Sequence, residues 1–260
     1  MMESRSMPPP SGARFVGRRR RASFTRRLAT ALIVTVLLLS AGGSTTATAR
    51  QAVSLSDGLP AVLAQGTDLM PAQAVAWRIV ADVAEVPGEA AFEERALGFA
   101  FQSTDPLRLT DQTTGVERVI DNTEAAFVAD GATEKRESLG GRTASYLRIA
   151  VVPSEKRDDP GGDRLIFAGD AFLGPEGERS LTLYQTELQV GDPMVVVGSG
   201  APVLVLVLQG SVTVATDGGL TDLTTVVGSG TYYAAGSFDG SMRLVANRDA
   251  TFVAFATIGA

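Results

Sequence analysis

The chemistry open to this chain is bounded first by two residue types it lacks. Its 260 residues include no His and no Cys. Imidazole and thiolate metal ligands, disulfides, a cysteine nucleophile and the Ser-His-Asp triad are therefore excluded, along with the usual neutral-pH proton carrier. Proton transfer and cation binding fall to carboxylates. Ser199 and Ser229 sit in Gly-rich turns, but no His can activate them, and only Lys135 and Lys156 could serve a Ser-Lys pair. Gly228-Ser229-Gly230 suggests a phosphate loop, yet no helix is expected behind it, so it reads as a hairpin turn. Trp77, the only Trp, stands at a strand start and is expected in the core rather than against a ligand. Tyr232 and Tyr233 share a strand and must face opposite ways, one to the core and one to the rim.

The elements that position such residues begin after a targeting segment. Eight Arg crowd residues 1–27, an uncharged run follows from Leu28 to Ala41, and small residues end in Ala47-Thr48-Ala49. This succession predicts a secretory signal peptide over residues 1–49, cleavage before Arg50, and a secreted or cell-surface protein. The apolar run is shorter than the roughly 20 residues a spanning helix needs. Thr25-Arg26-Arg27 lacks the Phe expected after a twin-arginine pair. The full chain carries 23 basic and 29 acidic residues, net −6; without residues 1–49 it keeps 15 and 28, net −13. An acidic domain of this kind is a poor partner for nucleic acid or anionic lipid, so membrane contact is expected only through the signal peptide.

Residues 50–74 read as a leader. From Trp77 onward, short β-rich runs alternate with turns such as Pro87-Gly88, Gly140-Gly141, Asp217-Gly218-Gly219 and Asp239-Gly240, which predicts an all-β barrel or sandwich. Val203–Leu208 is continuously apolar, as a strand buried on both faces should be. Two stretches echo one another: Gly131 and Gly236 are 105 residues apart, Arg142 and Arg248 are 106 apart, and Gly88 and Gly191 are 103 apart. Two copies of one β unit are expected, at 75–152 and 181–260. The segment 153–180 joins them as a charged, Pro/Gly-rich linker, with Leu165–Leu173 as a potential edge strand.

In the second copy, Gly191, Gly210, Gly228 and Gly236 fall at the framing glycines of the two cupin motifs, G-x5-H-x-H-x3-E-x6-G and G-x5-P-x-G-x2-H-x3-N. The chain from about residue 75 to 260 resembles a two-cupin protein, which implies two double-stranded β-helix barrels. In that family three His and one Glu hold a metal such as iron or manganese. Here the resemblance places Val197, Ser199, Val203 and Asp239 at those positions, which cannot make the site. In the first copy, where the frame fits less closely, it places Glu94 and Ala96 at the first two positions, Ala100 at the third and Glu134 at the last. Glu94 and Glu134, if both point inward, could hold a hard ion or act as acid and base. Charged residues are mostly exposed, so solvation or a rim ion pair with Arg95 or Arg136 is the favoured expectation.

Three functions are consistent with these features. The first is a secreted, metal-independent, non-catalytic module that binds a small molecule or a protein, with Glu94, Glu134 and Asp239 as candidate ligand-binding residues. The second is a carboxylate-dependent isomerase or lyase using Glu94 and Glu134. The third is a purely structural barrel. No cofactor is expected, and a homodimer is left open.

Overall fold

Short runs of Val, Ile, Thr and aromatic residues punctuated by Gly and Pro make strands and turns, and the only helical piece among the described residues is a single turn at Ser154–Lys156. The computed structural model describes residues 59–227, 231–248 and 251–259. The segment read as a signal peptide, the start of the leader, and Gly228-Ser229-Gly230 lie outside them.

The first strand is β1 (Ala61–Met70). Eight strands then build the first half: β2 (Ala74–Ala84), β3 (Phe92–Glu94), β4 (Gly98–Phe101), β5 (Leu107–Asp111), β6 (Glu117–Ile120), β7 (Ala125–Val128), β8 (Thr133–Ser138) and β9 (Ala144–Pro153). The connection carries β10 (Arg164–Ala168) and β11 (Phe172–Leu173). The second half comprises β12 (Gly177–Leu188), β13 (Met194–Val197), β14 (Val203–Gln209), β15 (Ser211–Thr216), β16 (Gly219–Thr224), the small β17 (Val226–Val227) and β18 (Thr231–Tyr232) hairpin, β19 (Ala234–Phe238), β20 (Ser241–Ala246) and β21 (Thr251–Gly259).

The sheets show the duplication directly. In the first half the strands run β2-β9-β4-β7 in one sheet and β3-β8-β5-β6 in the other; in the second half they run β12-β21-β14-β19 and β13-β20-β15-β16. Both are the same antiparallel jelly-roll order, with the first strand beside the eighth and the second beside the seventh. Two additions tie the halves together. Strand β1, from the expected leader, pairs with β12 of the second half, while β10 and β11, from the expected linker, pair with β2 of the first.

Strand alternation sorts side chains into three cores. Val203, Val205 and Val207 of β14 fill the second barrel with Val212, Val214, Leu244 and Phe255. Leu204, Leu206 and Leu208 of the same strand face the other way and meet Trp77, Ile79, Phe99 and Ile149 from the first half. The two larger sheets thus pack against each other, and the apolar run is buried on both faces because it lies between two cores. Trp77 is fully buried there, and its indole N–H donates to the Pro202 carbonyl at 2.8 Å, joining the halves. Tyr233 is half-buried against the same core. Gly66 of β1 brings its backbone against the Phe127 ring of the first half; a Cβ there would stand 2.1 Å from that ring. The third core, inside the first barrel, is small and built largely of Ala100, Leu107, Leu109, Ala126 and Tyr146.

Candidate functional site

The first barrel has fewer apolar side chains to bury because charged ones share its interior. On β8 the lumen-facing positions are Glu134, Arg136 and Ser138, all buried. On β2 and β9 they include Arg78 and Asp82, and Tyr146 and Arg148; Asp82 lies opposite Tyr146 and Val80 opposite Arg148. The intervening positions, Trp77, Ile79, Leu147 and Ile149, face the core between the halves. One parity of each strand is therefore apolar and the other carries charge.

These groups form a chain of contacts across the lumen. Glu134 accepts from Arg118 at 3.0 Å and from Arg136 at 3.1 Å. Arg136 also donates to the Tyr146 hydroxyl at 3.0 Å, and that hydroxyl donates to Asp82. Asp82 further faces Arg95 at 3.5 Å and Arg148 at 3.9 Å, while Arg148 donates to Asp163 at 2.7 Å. Burial, with Asp82 adding to it against the pull of Arg136, pushes the Tyr146 hydroxyl up to about 12, so it keeps its proton at neutral pH and acts as a donor. Burial and the neighbouring Asp82 raise Asp163 above its ordinary value, although Arg148 opposes them. Burial would lower Arg136, but Tyr146 and Glu134 outweigh it and hold the guanidinium charged.

Glu94 and Glu134 do not converge: Glu94 is solvated, as the favoured expectation had it, and Glu134 is not. Glu134 is 2% exposed, but its register partner on β3 is Glu93, and Glu94 lies opposite Thr133 on the outer face, in solvent. One residue of register separates an inward from an outward side chain, and the frame placed that residue one position late. Glu93 takes the inward direction and pairs with Arg95 at 2.9 Å, and the partner of Glu134 is Arg136, inside rather than at the rim.

In the second barrel the frame slips further. Val197 is 69% exposed on β13, Ser199 lies in an exposed turn, where it donates to the Ile258 carbonyl, and Asp239 is exposed in the turn between β19 and β20. Only Val203 points inward. The turn that matches Gly131 (φ 65°) is made by Gly240 (φ 68°), since both stand between the sixth and seventh strands, whereas Gly236 lies within β19. Sheet register then equates Glu134 and Arg136 with Met242 and Leu244: Arg136 faces Leu109 as Leu244 faces Val214. Likewise Asp82, Tyr146 and Arg148 correspond to Leu188, Thr251 and Val253. The two barrels share a strand order and differ in what fills them, charge in one and apolar side chains in the other.

A metal is implied by the resemblance, and the donor set does not fit one. Glu134 is the single carboxylate at those positions that faces a lumen, and two guanidiniums already occupy its oxygens and would repel a cation. Among the described residues no group of three or more acids is placed to hold a metal ion.

A cleft of about 510 Å³ opens where β2, β3 and β9 meet the segment 156–163, lined by Arg78, Asp82, Glu93, Arg148, Lys156 and Asp163 among others. The segment expected to be a plain linker covers this opening, and Arg78 anchors it by donating to the carbonyls of Lys156, at 2.8 Å, and Asp159. Arg78, Asp82, Tyr146, Arg148 and Asp163 were not among the sequence candidates. Their signal was the alternation itself, Arg78-x-x-x-Asp82 and Tyr146-x-Arg148 between apolar neighbours.

On the outer face of the same small sheet, Glu137 is buried beneath the 86–88 turn. Burial alone would raise it, but the Gly88 N–H at 3.0 Å, Arg108 at 2.6 Å and Lys135 at 3.3 Å hold it below the ordinary carboxylate range. Its contribution to stability is therefore present above the unfolded-state value and is lost as pH falls through the lower folded value. Melting temperature followed from pH 7 to pH 3 should fall less steeply below the ordinary carboxylate range in Glu137→Gln than in the parent chain; identical slopes would show that Glu137 is not part of the acid response.

No family model matches the sequence, and no curated protein matches it. The fold is similar to solved structures at low identity. The protein YhaK from Escherichia coli is 12% identical with a TM-score of 0.42, the likeness covering 75% of this chain and 94% of that one. A cupin 2 conserved barrel domain protein from Leptotrichia buccalis is 11% identical with a TM-score of 0.39, covering 75% and 88%. Streptomyces albus HEPD with 2-hydroxyethylphosphonate and Fe(II) bound is 10% identical with a TM-score of 0.44, covering 75% and 70%. By its own strand order and packing, the chain is an all-β protein of two jelly-roll barrels in tandem, their larger sheets face to face, which is the architecture that the resemblance in its sequence implies.

Proposed function

We propose that this chain is a non-catalytic binding module that takes a small polar molecule at the mouth of its first barrel and acts outside the cytoplasm after losing residues 1–49. The observation that carries the reading is the inequality of two barrels with one strand order. At equivalent positions the second holds Leu188, Val253, Met242 and Leu244, which belong to one buried apolar core. The first holds Asp82, Arg148, Glu134 and Arg136, which contribute less to stability than well-packed apolar groups of similar volume. Charge kept in one lumen beside a cleft, and absent from its duplicate, supports a role in recognition. The carboxylate-enzyme reading loses its motive because Glu94 and Glu134 do not converge.

Native mass spectrometry of the chain isolated from its own host is expected to show a retained small molecule. A thermal-shift screen of polar acids, amines and sugars should also find a stabilising compound; a ligand at 100 times its Kd contributes about 2.7 kcal/mol. No retained mass and no stabilising compound would overturn the reading in favour of a structural barrel.

A further inference from the structure

The ends of the larger sheets lie against one another, β1 beside β7 and β10 beside β19. Four strands end the two smaller sheets, β3 and β6 in the first half and β13 and β16 in the second. A strand at a sheet end presents N–H and C=O groups that can template another strand, and charged side chains are a usual guard against it. Three of the four carry that guard: Glu93 and Glu94 on β3, Glu117 and Arg118 on β6, Asp222 on β16. Strand β13 reads Met194-Val195-Val196-Val197 and has no charge, although it holds the same place in its barrel as β3. It pairs with β20 alone. The Gly198 N–H donates to the Gly240 carbonyl at 3.1 Å, so antiparallel alternation gives the remaining bonds to β20 to Val196 and Met194. The main-chain groups of Val195 and Val197 then point to the open side. Their side chains stand on the outer face of the sheet, 62% and 69% exposed, while Val196 is buried in the core of the second barrel.

We propose that β13 pairs with β13 of a second copy of this chain, antiparallel about a two-fold axis, joining the two smaller sheets of four strands into one of eight. Setting Val195 opposite Val197 of the second copy makes two hydrogen-bonded pairs, each exchanging both main-chain bonds, with Val196 on the axis. It also brings the exposed valines of the two copies side by side on one face, where cross-strand β-branched pairs stabilise a sheet. Charge favours a copy of this chain as the occupant. The chain is acidic, net −6 in full and −13 without residues 1–49, so two copies repel over much of their surface. Residues 189–201 carry a single charged group, Asp192, and let two copies approach at low cost. A partner selected by its own charge would find little here to pair with. The contact is also self-limiting: once two β13 edges have met, the other strands that end the smaller sheets carry charge, so assembly stops at two. This pairing is independent of what the first barrel binds.

Sedimentation equilibrium of the protein isolated from its own host, over roughly 1–100 μM, is the test, and a monomer–dimer equilibrium is expected. Val195→Lys and Val197→Glu should each weaken the dimer by about 10-fold or more, since each puts a charge on the pairing edge. Both side chains project into solvent, so the fold should survive, and a thermal melt of each variant checks it; either variant suffices if the other fails to fold. Val195→Lys combined with Val197→Glu in one chain should restore the dimer, because the ammonium and the carboxylate then face each other twice across the axis. Leu220→Lys, at a position 77% exposed on β16 at the far end of the same sheet, should leave the dimer unchanged. A monomer at every concentration, or a dimer indifferent to both single variants, would overturn the proposal. So would a monomer that carries a different protein on β13. A combined variant as weak as the single ones would overturn the antiparallel register.

Discussion

Glu134→Ala is expected to destabilise the protein by about 3–5 kcal/mol, the usual result of removing one partner of a buried ion pair. The carboxylate accepts from Arg118 and Arg136, and the Arg136 side chain is only 2% exposed. Without Glu134, Arg136 keeps the Tyr146 hydroxyl but has no counter-ion in contact, so a buried charge is left uncompensated. Substituting both members, Glu134→Met with Arg136→Leu, copies the second barrel's Met242 and Leu244 and should recover most of that loss, because apolar replacement of a whole buried pair is often neutral or stabilising. Glu94→Gln, one sheet face away in solvent, should lie within about 0.5 kcal/mol of the parent. Urea unfolding of the four chains decides this. A Glu94→Gln effect equal to that of Glu134→Ala would mean that both carboxylates share the lumen after all.

Trp77→Ala should cost a similar amount, about 3–5 kcal/mol, through the cavity left by a large buried side chain. The indole is fully buried between the two larger sheets, and its N–H satisfies the Pro202 carbonyl from the other half of the molecule. Trp77→Phe keeps most of the packing and gives up the hydrogen bond, so its cost should be nearer 1 kcal/mol. Because the core it occupies belongs to both halves, the loss should appear as a lower midpoint of one transition and not as early melting of one barrel. Calorimetry and far-ultraviolet circular dichroism are the probes, since Trp77 is the only Trp and its removal takes the indole fluorescence with it. Two separated transitions in the parent chain would contradict a shared core.

Much of the architecture was legible in the residues. The continuous apolar run at Val203–Leu208 does lie between two cores. The offset between the copies is not constant: strand register puts Tyr146 opposite Asp82 as Thr251 stands opposite Leu188, 105 and 106 positions on, but Gly131 is matched by Gly240, 109 on. Turn glycines could be found but not assigned, because Gly236 and Gly240 both fit a loose spacing and only strand pairing tells which one turns. The site was harder still. Glu134 was found, but its partner on β3 depends on register, and Glu93-Glu94 offers a carboxylate to both faces. Asp82 and Tyr146 are 64 positions apart and meet only because β2 and β9 are neighbours. Nothing in local composition marks Arg78 and Arg148 as companions, since their proximity is a property of pairing across the whole first barrel.

The strands exchanged between the halves bear on how the chain reaches this structure. Strand β1 is translated before any of the first barrel, yet Ala61 pairs with Gln185, 124 positions later. At about 5–20 residues per second, roughly 6 to 25 s pass on the ribosome before its partner exists. Until residues 177–185 exist, β1 lacks its strand partner and the face of the first half that carries Trp77, Phe99 and Ile149 lacks its cover. Such contacts give high contact order, and closing them late makes folding slow. The fold thus closes on itself late in the sequence: neither half has all its strand partners until the other is present.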